Sequence, residues 1–205
     1  MMWKTACFTG HRKLPHDRLE IIVSSLRSAI EEAFANGYRD FICGGALGFD
    51  TLAALQTLEF RKAHPDVKLI MAIPCQNQAQ KWSAKDREVY QSILQQADRC
   101  EILSQVYFSG CMQVRNRYMV DHSSLCICYM SSFHGGTAST VRYAAFRNIE
   151  IINLAMNYPQ PDTMLREMQC CSMYTYRSAG QNAAIAHLSP LQARKLIYKN
   201  TSVSF

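Results

Sequence analysis

The sequence predicts an α/β protein with a Rossmann-like, doubly wound and mainly parallel sheet that carries helices on both faces. Two observations lead to this fold class. Short, nearly continuous apolar segments alternate with amphipathic segments of about ten residues or more, which is typical of buried parallel strands joined by helices. Several of the apolar segments end in glycine-containing turns, a common connection between a strand and the next helix.

Each element follows from local periodicity. Near-continuous apolar segments predict strands at residues 5–9, 41–43, 68–73, 100–103, 125–130 and 149–154. Apolar residues at helical spacing predict helices at residues 17–36, 51–62, 86–97, 112–122 and 138–147. Gly37 lies where a helix stop is expected, and Pro74 closes the third strand.

The alternating pattern stops near Asn157, which divides the chain into two parts. We assign residues 1–156 to the Rossmann-like domain and residues 157–205 to a C-terminal extension. Residues 170–178 have no clear period, and Ser189-Pro190 predicts the start of a terminal helix. We expect this extension to serve packing or oligomerisation.

Composition restricts the classes of partner. The chain of 205 residues is 48% hydrophobic and 19% charged, which is ordinary for a folded protein. No apolar segment approaches the roughly 20 residues that cross a bilayer, so we expect a cytoplasmic protein without a membrane partner. The net charge of +6 permits an anionic partner, although the basic residues are spread along the chain.

The nine cysteines are scattered and often lie within apolar segments, as buried thiols do in a reducing compartment. Close pairs occur at Cys126 and Cys128 and at Cys170 and Cys171, and neither pair has a second pair at ligand spacing. The sequence therefore predicts no metal site.

The glycine turns predict a binding site. Strand-to-helix loops of a doubly wound sheet meet at the carboxyl edge of the strands, so the turns near Gly10, 44–48 and 135–137 should share one rim. Backbone amides at such turns and at helix N-termini suit a phosphate. The candidate ligand-binding residues are Thr9, Gly10, His11, Arg12, Gly44, Gly45, Gly48, Asp50, Trp82, Arg115, Gly135, Gly136 and Thr137.

Several candidates have two interpretations. Arg12 can fork two phosphate oxygens and His11 can donate a further hydrogen bond, or both can lie on a surface turn. Asp50 can bind ribose hydroxyls or cap its helix, and Trp82 can stack on a base or pack in the core. Arg115 reaches the site only if it points inward. No nucleophile motif or pair of carboxylates lies on the rim, which favours binding over catalysis.

Taken together, these motifs resemble the YpsA-like family, formerly DUF1273, of the SLOG superfamily. The superfamily also contains the DNA-processing protein DprA and the LOG (Lonely Guy) phosphoribohydrolases. The resemblance covers about residues 5–155. It rests on Thr9-Gly10-His11-Arg12, the segment 43–50, Gln78 and Trp82 after Pro74-Cys75, and Gly135-Gly136-Thr137.

The resemblance implies a homo-oligomeric protein that binds a nucleotide or nucleotide-derived ligand at its glycine loops. Arg115 looks like the arginine that precedes the second glycine motif in the LOG enzymes. Those enzymes also use a glutamate after that motif, and Thr140 stands at the corresponding position here. This departure puts phosphoribohydrolase activity in doubt, because a hydroxyl cannot replace the carboxylate.

The expected function is therefore binding of a nucleotide-like ligand of unknown identity by a sensor or regulatory protein, with no other cofactor required. One alternative is a LOG-like N-glycosidase in which Glu88 or Asp121 replaces the missing carboxylate. The other is DprA-like binding of single-stranded DNA, suggested by the positive charge and by Trp82.

Overall fold

Strands and helices alternate along the chain in the computed structural model, which describes residues 4–155 and the backbone of residues 176–178. The strands are β1 (Lys4–Gly10), β2 (Tyr38–Cys43), β3 (Lys68–Ile73), β4 (Arg99–Ile102), β5 (Leu125–Tyr129), β6 (Glu150–Asn153) and β7 (Tyr176–Ser178). The helices are α1 (Leu19–Ala35), α2 (Phe49–Arg61), α3 (Ala84–Gln96), α4 (Cys111–Asp121) and α5 (Gly135–Phe146). No helix in the described ranges is long and apolar enough to span a bilayer.

The strands form one seven-stranded parallel sheet in the order β4-β3-β2-β1-β5-β6-β7. From β1 the chain moves outward through β2 and β3 to β4, and then crosses to β5 on the other side of β1. The predicted doubly wound fold is confirmed. The strand order reverses between β1 and β5, and ligands of such folds bind outside the carboxyl ends of the strands at this point.

Helices cover both faces of the sheet, as predicted. Along β1, Phe8 points into a layer with α1, α2 and α3, whereas Cys7 points into the opposite layer with α4 and α5. The layer on the α4 side contains several small side chains, including Cys126 opposite Cys7 in the strand register. The neighbouring Cys7 thiol, together with burial, raises the pKa of Cys126.

Two local predictions differ from the structure. Helix α5 begins at Gly135 instead of Ala138. The second glycine motif, Gly135-Gly136-Thr137, therefore forms the first helical turn and not a preceding loop. Residues 176–178 form a strand beside β6, although residues 170–178 show no clear period. A strand of three residues is too short for a period to be visible. The predicted terminal helix at Ser189-Pro190 lies outside the described residues.

Candidate functional site

The predicted rim segments lie together at the carboxyl edge of the sheet. Ser131, after β5, donates its backbone N–H to Nε2 of His11, after β1, at 2.9 Å. The carbonyl of His11 in turn accepts a hydrogen bond of 3.1 Å from the backbone N–H of Phe49, the first residue of α2. These contacts join the turns that follow β1, β2 and β5.

Protein atoms occupy the space around the first glycine motif, residues 44–48. A Cβ atom on Gly44 would overlap the guanidinium of Arg115, and one on Gly48, at φ 80°, would lie 2.6 Å from the carbonyl oxygen of His11. A Cβ atom on Gly45, at φ 62°, would lie 2.9 Å from Cε of Met71. The fold therefore requires these three glycines for its own packing, whether or not a ligand binds.

Arg115 points inward and reaches the first glycine motif. Its side chain is 6% exposed, and its Nη1 donates to the carbonyl of Gly44 and lies 3.7 Å from Oδ2 of Asp50. Oδ2 of Asp50 also accepts a hydrogen bond of 3.2 Å from the backbone N–H of Ala46. Burial raises the pKa of Asp50, and the positive charge of Arg115 opposes that shift. Asp50 thus stabilises the glycine loop through a hydrogen bond to its backbone. Gly48 occupies the N-cap position of α2.

A chain of hydrogen bonds connects the two glycine motifs. Nε of Arg115 donates to Oδ1 of Asn116 at 2.8 Å, and Nδ2 of Asn116 donates to Oγ1 of Thr140 at 2.7 Å. The hydroxyl of Thr140 donates to the carbonyl of Gly136 at 2.8 Å. Thr140 therefore performs a structural role at the position where the LOG enzymes carry a glutamate. Sequence reasoning missed Asn116, and its only signal was its place beside Arg115.

The second glycine motif is open. Nothing lies within 4 Å of a Cβ atom built on Gly135 or Gly136, and both residues are exposed. The backbone N–H groups of Gly135, Gly136 and Thr137 have no hydrogen-bond acceptor within residues 4–155, and the N-cap residue His134 provides no side-chain cap. Since the positive end of the helix dipole lies here, this turn has the properties of an anion site.

The N-terminus of α2 differs from that of α5, although both follow a glycine-rich segment. The backbone N–H of Phe49 donates to His11, and that of Thr51 donates to Ala46 at 3.1 Å. The backbone N–H of Leu52 donates to Gly48 at 3.0 Å. Because these amides have partners within the protein, the start of α2 offers fewer free donors to a ligand than the start of α5.

The turn after β1 provides one cation, Arg12, because His11 is neutral and accepts a hydrogen bond instead of donating one to a phosphate. His11 accepts a hydrogen bond through Nε2, and burial lowers the pKa of its imidazole, so the neutral form is favoured at neutral pH. The guanidinium of Arg12 is exposed and has no hydrogen-bond or ion-pair partner among the residues that the structure describes. Thr9 is buried, and Gly10 lies against the side chain of Phe49.

Trp82 has the packing role that was the alternative to base stacking. Its ring is partly buried and meets Tyr90 edge to face, with the ring centroids 5.2 Å apart. Burial raises the pKa of Tyr90 to about 12. Gln78 also contacts the first glycine motif, because its Nε2 donates to the carbonyl of Gly45 at 2.8 Å. Its Oε1 is buried and has no hydrogen-bond partner within the described ranges.

The two carboxylates suggested for catalysis do not lie in this network. Asp121 is the last residue of α4 and forms an ion pair with Arg147, while the Tyr143 hydroxyl donates to it at 3.0 Å. Because α4 runs opposite to the strands, its C-terminus lies away from the rim. Glu88 is exposed on α3.

Comparisons with known proteins agree with this fold. The model of the YspA SLOG family matches residues 7–159. The SPbeta prophage-derived protein YoqJ of Bacillus subtilis is 36% identical over 133 residues, which cover 58% of this chain and 77% of YoqJ. A UPF0398 protein of Bacillus thuringiensis is 27% identical over 159 residues, covering 73% of this chain and 86% of that protein.

Similar solved structures show the same fold at low sequence identity. DprA from Streptococcus pneumoniae superimposes with a TM-score of 0.60 at 14% identity, covering 87% of this chain and 60% of that chain. DprA from Helicobacter pylori gives a TM-score of 0.57 at 17% identity, covering 96% of this chain and 79% of that chain. TM1055, a structural genomics target, gives a TM-score of 0.52 at 13% identity, covering 96% of this chain and 99% of that chain.

Proposed function

This chain belongs to the YspA SLOG family, and from that premise we propose that it binds a nucleotide or nucleotide-derived small molecule as a sensor or regulatory protein. The ligand lies outside the carboxyl ends of β1 and β5, with a phosphate at the N-terminus of α5. One observation carries this proposal. Gly135, Gly136 and Thr137 have backbone N–H groups without an acceptor in the described residues, and the two glycines are exposed with no atom within 4 Å of a Cβ position, whereas Thr137 is buried behind them.

The charges and topology around this turn support a phosphate. Arg12 follows the neighbouring strand β1, and its guanidinium has no hydrogen-bond or ion-pair partner within the described ranges, so it is available to form two hydrogen bonds with one phosphate group. The site lies where the strand order reverses, which is where doubly wound folds bind nucleotides. We assign the first glycine motif to the wall of the site, because its glycines are already packed against protein atoms.

A ligand screen with a matched pair of variants tests the proposal. In Gly136→Asp, the new carboxylate repels a phosphate, and the open space around Gly136 lets the chain fold. Ser92→Asp adds the same charge at an exposed position near the far end of α3 and serves as the control. Gly45→Asp is unsuitable, because Gly45 has a positive φ and its Cβ would contact Met71.

The screen measures thermal unfolding with mono-, di- and cyclic nucleotides, NAD and ADP-ribose. A ligand at about 100 times its dissociation constant adds roughly 2.7 kcal/mol to the free energy of unfolding. We expect one of these compounds to stabilise the parent chain and Ser92→Asp, but not Gly136→Asp. Equal stabilisation of all three proteins would rule out a phosphate at α5.

Single-stranded DNA is a second candidate ligand. The DprA structure from Helicobacter pylori was described for its single-stranded DNA binding mode, and the present chain carries a net charge of +6. Fluorescence anisotropy with a short labelled oligonucleotide tests this function. Binding to several phosphates predicts an affinity that falls steeply as salt rises. No binding at low salt excludes it.

An N-glycosidase is less well supported by the geometry. The hydroxyl of Thr140 already bonds to Asn116 and Gly136, and Asp121 is bound by Arg147. A chromatographic assay for released base or ribose phosphate, run on each nucleotide that stabilises the protein, decides between binding and turnover. We expect binding without release, and measurable release would make this chain an enzyme.

A further inference from the structure

Strand β4 forms one end of the sheet and pairs only with β3 among the described residues. Its outer edge therefore has backbone N–H and C=O groups without a strand partner in the part of the chain that the structure describes. Arg99, Cys100 and Ile102 of this strand are exposed, and Ile102 is 50% exposed. Such an edge is a template on which another strand can pair.

Apolar side chains continue from the end of β4 into the connection to α4. Val106, Tyr107 and Phe108 are 66%, 62% and 44% exposed. Single exposed apolar residues are ordinary, but Ile102 and these three residues, close together in sequence at and after an edge strand, are typical of an interaction surface. The edge strand supplies hydrogen bonds, and these side chains supply apolar area that a partner can bury.

The charges of β4 are complementary to those of a second, antiparallel copy of the same strand. Arg99 and Glu101 flank Cys100 and point to the same face of the sheet, where Nε of Arg99 lies 2.9 Å from Oε1 of Glu101. In an antiparallel pairing of two copies about a two-fold axis at Cys100, Arg99 of each copy faces Glu101 of the other. We propose that the outer edge of β4 pairs in this way with β4 of a second copy of this chain.

The two symmetric registers next to this one are unfavourable. An axis at Arg99 would place the two copies of Arg99 opposite each other, and an axis at Glu101 would oppose the two glutamates. Like charges that are directly opposite in neighbouring strands destabilise their pairing, whereas opposite charges stabilise it. The axis at Cys100 avoids both repulsions. It also gives a closed two-fold dimer, since each β4 has only one free edge. This inference is independent of the proposed ligand site.

The central cysteine reports on this register. Directly opposed residues of antiparallel strands have Cα atoms about 4.5–5.5 Å apart, which falls within the range that a disulfide can bridge. Cys100 is exposed, whereas Cys7, Cys43, Cys75, Cys111, Cys126 and Cys128 are buried. Mild oxidation should therefore join two copies of Cys100 when the strands pair as proposed.

Charge reversal of the full chain is the first test. Light scattering over a concentration series should detect a dimer, and Arg99→Glu or Glu101→Arg should each raise its dissociation constant about tenfold or more. The double variant Arg99→Glu/Glu101→Arg restores opposite charges across the interface and should restore the dimer. A monomer throughout the series overturns the proposal, as does a dimer that neither single variant weakens.

Oxidation by copper–phenanthroline and oxygen is the second test. It removes two electrons and two protons from a thiol pair, and oxygen is reduced. A covalent dimer should form with the parent chain and disappear in Cys100→Ser, in which Cys170 and Cys171 remain as an internal control. Undiminished cross-linking of Cys100→Ser, or none with the parent chain, contradicts the register.

Discussion

The two glycine motifs should respond in opposite ways to the same substitution. In Gly44→Ala, the new methyl group would overlap the guanidinium of Arg115 and would lie 2.8 Å from Oδ2 of Asp50. Both of these side chains are 6% exposed, so the displaced arginine leaves a buried carboxylate without its partner. In Gly136→Ala, nothing lies within 4 Å of the methyl group.

The expected magnitudes follow from these environments. Removal of one partner from a buried ion pair costs about 3–5 kcal/mol, so Gly44→Ala should lose that much of its free energy of unfolding. Alanine is a better helix former than glycine by up to about 1 kcal/mol, so Gly136→Ala should be unchanged or slightly more stable. The difference between the variants is a large part of a typical domain's stability.

Urea unfolding, followed by circular dichroism, measures both values. The mechanism also predicts non-additivity. In an Arg115→Ala background the guanidinium is absent and the methyl group meets only Oδ2 of Asp50, so adding Gly44→Ala should cost at least about 2 kcal/mol less than it does in the parent chain. A loss below about 1 kcal/mol for Gly44→Ala in the parent chain would refute the packing of Arg115 against this glycine.

Three further changes test other parts of the site. Thr140→Val leaves Nδ2 of the half-buried Asn116 without its acceptor and should cost about 1–3 kcal/mol in urea unfolding, whereas Ser139→Val on the exposed face should cost less. Asn153→Ala removes the buried amide that bonds to the backbone N–H and C=O of Met130, at a cost of about 2–3 kcal/mol in the same assay. His11→Gln should make the melting temperature fall less between pH 7.5 and pH 5.5 than it does in the parent chain.

The sign of the His11 effect follows from its lowered pKa. The unfolded chain takes up a proton near the ordinary pKa of about 6.5, whereas the folded chain resists protonation until the pH is lower. The stability contribution of His11 is therefore complete above about pH 6.5, the pKa in the unfolded chain. It is lost as the pH falls from there towards the lower pKa of the folded chain. An equal fall in melting temperature for His11→Gln would assign the pH dependence to other groups. For Thr140→Val and Asn153→Ala, unchanged unfolding would show that their hydrogen bonds contribute nothing.

Apolar periodicity was sufficient to predict the sheet, because each buried strand and each amphipathic helix leaves its period in the local sequence. The start of α5 was not visible, since Gly135 and Gly136 are poor helix formers and were assigned to a loop. The strand at residues 176–178 was missed because it is too short to show alternation.

The site was less predictable than the fold. Gly44 and Gly136 look equivalent in sequence, but Arg115, 71 residues away along the chain, fills the space beside only one of them. The link from Asn116 to Thr140 likewise depends on the packing of α4 against α5. Local sequence indicates which residues favour a phosphate, and tertiary packing determines which of them remain free to bind it.

The central claim is that backbone amides at the start of α5 bind a phosphate of the ligand. Backbone NMR of the nitrogen-15-labelled protein tests this claim most directly, because it observes those amides. The titration uses the nucleotide that gives the largest thermal stabilisation. We expect the largest amide shifts at Gly135, Gly136 and Thr137, with smaller changes at Gly44 and Gly45. Shifts confined to the first glycine motif, with none at the start of α5, would contradict a phosphate site at this helix.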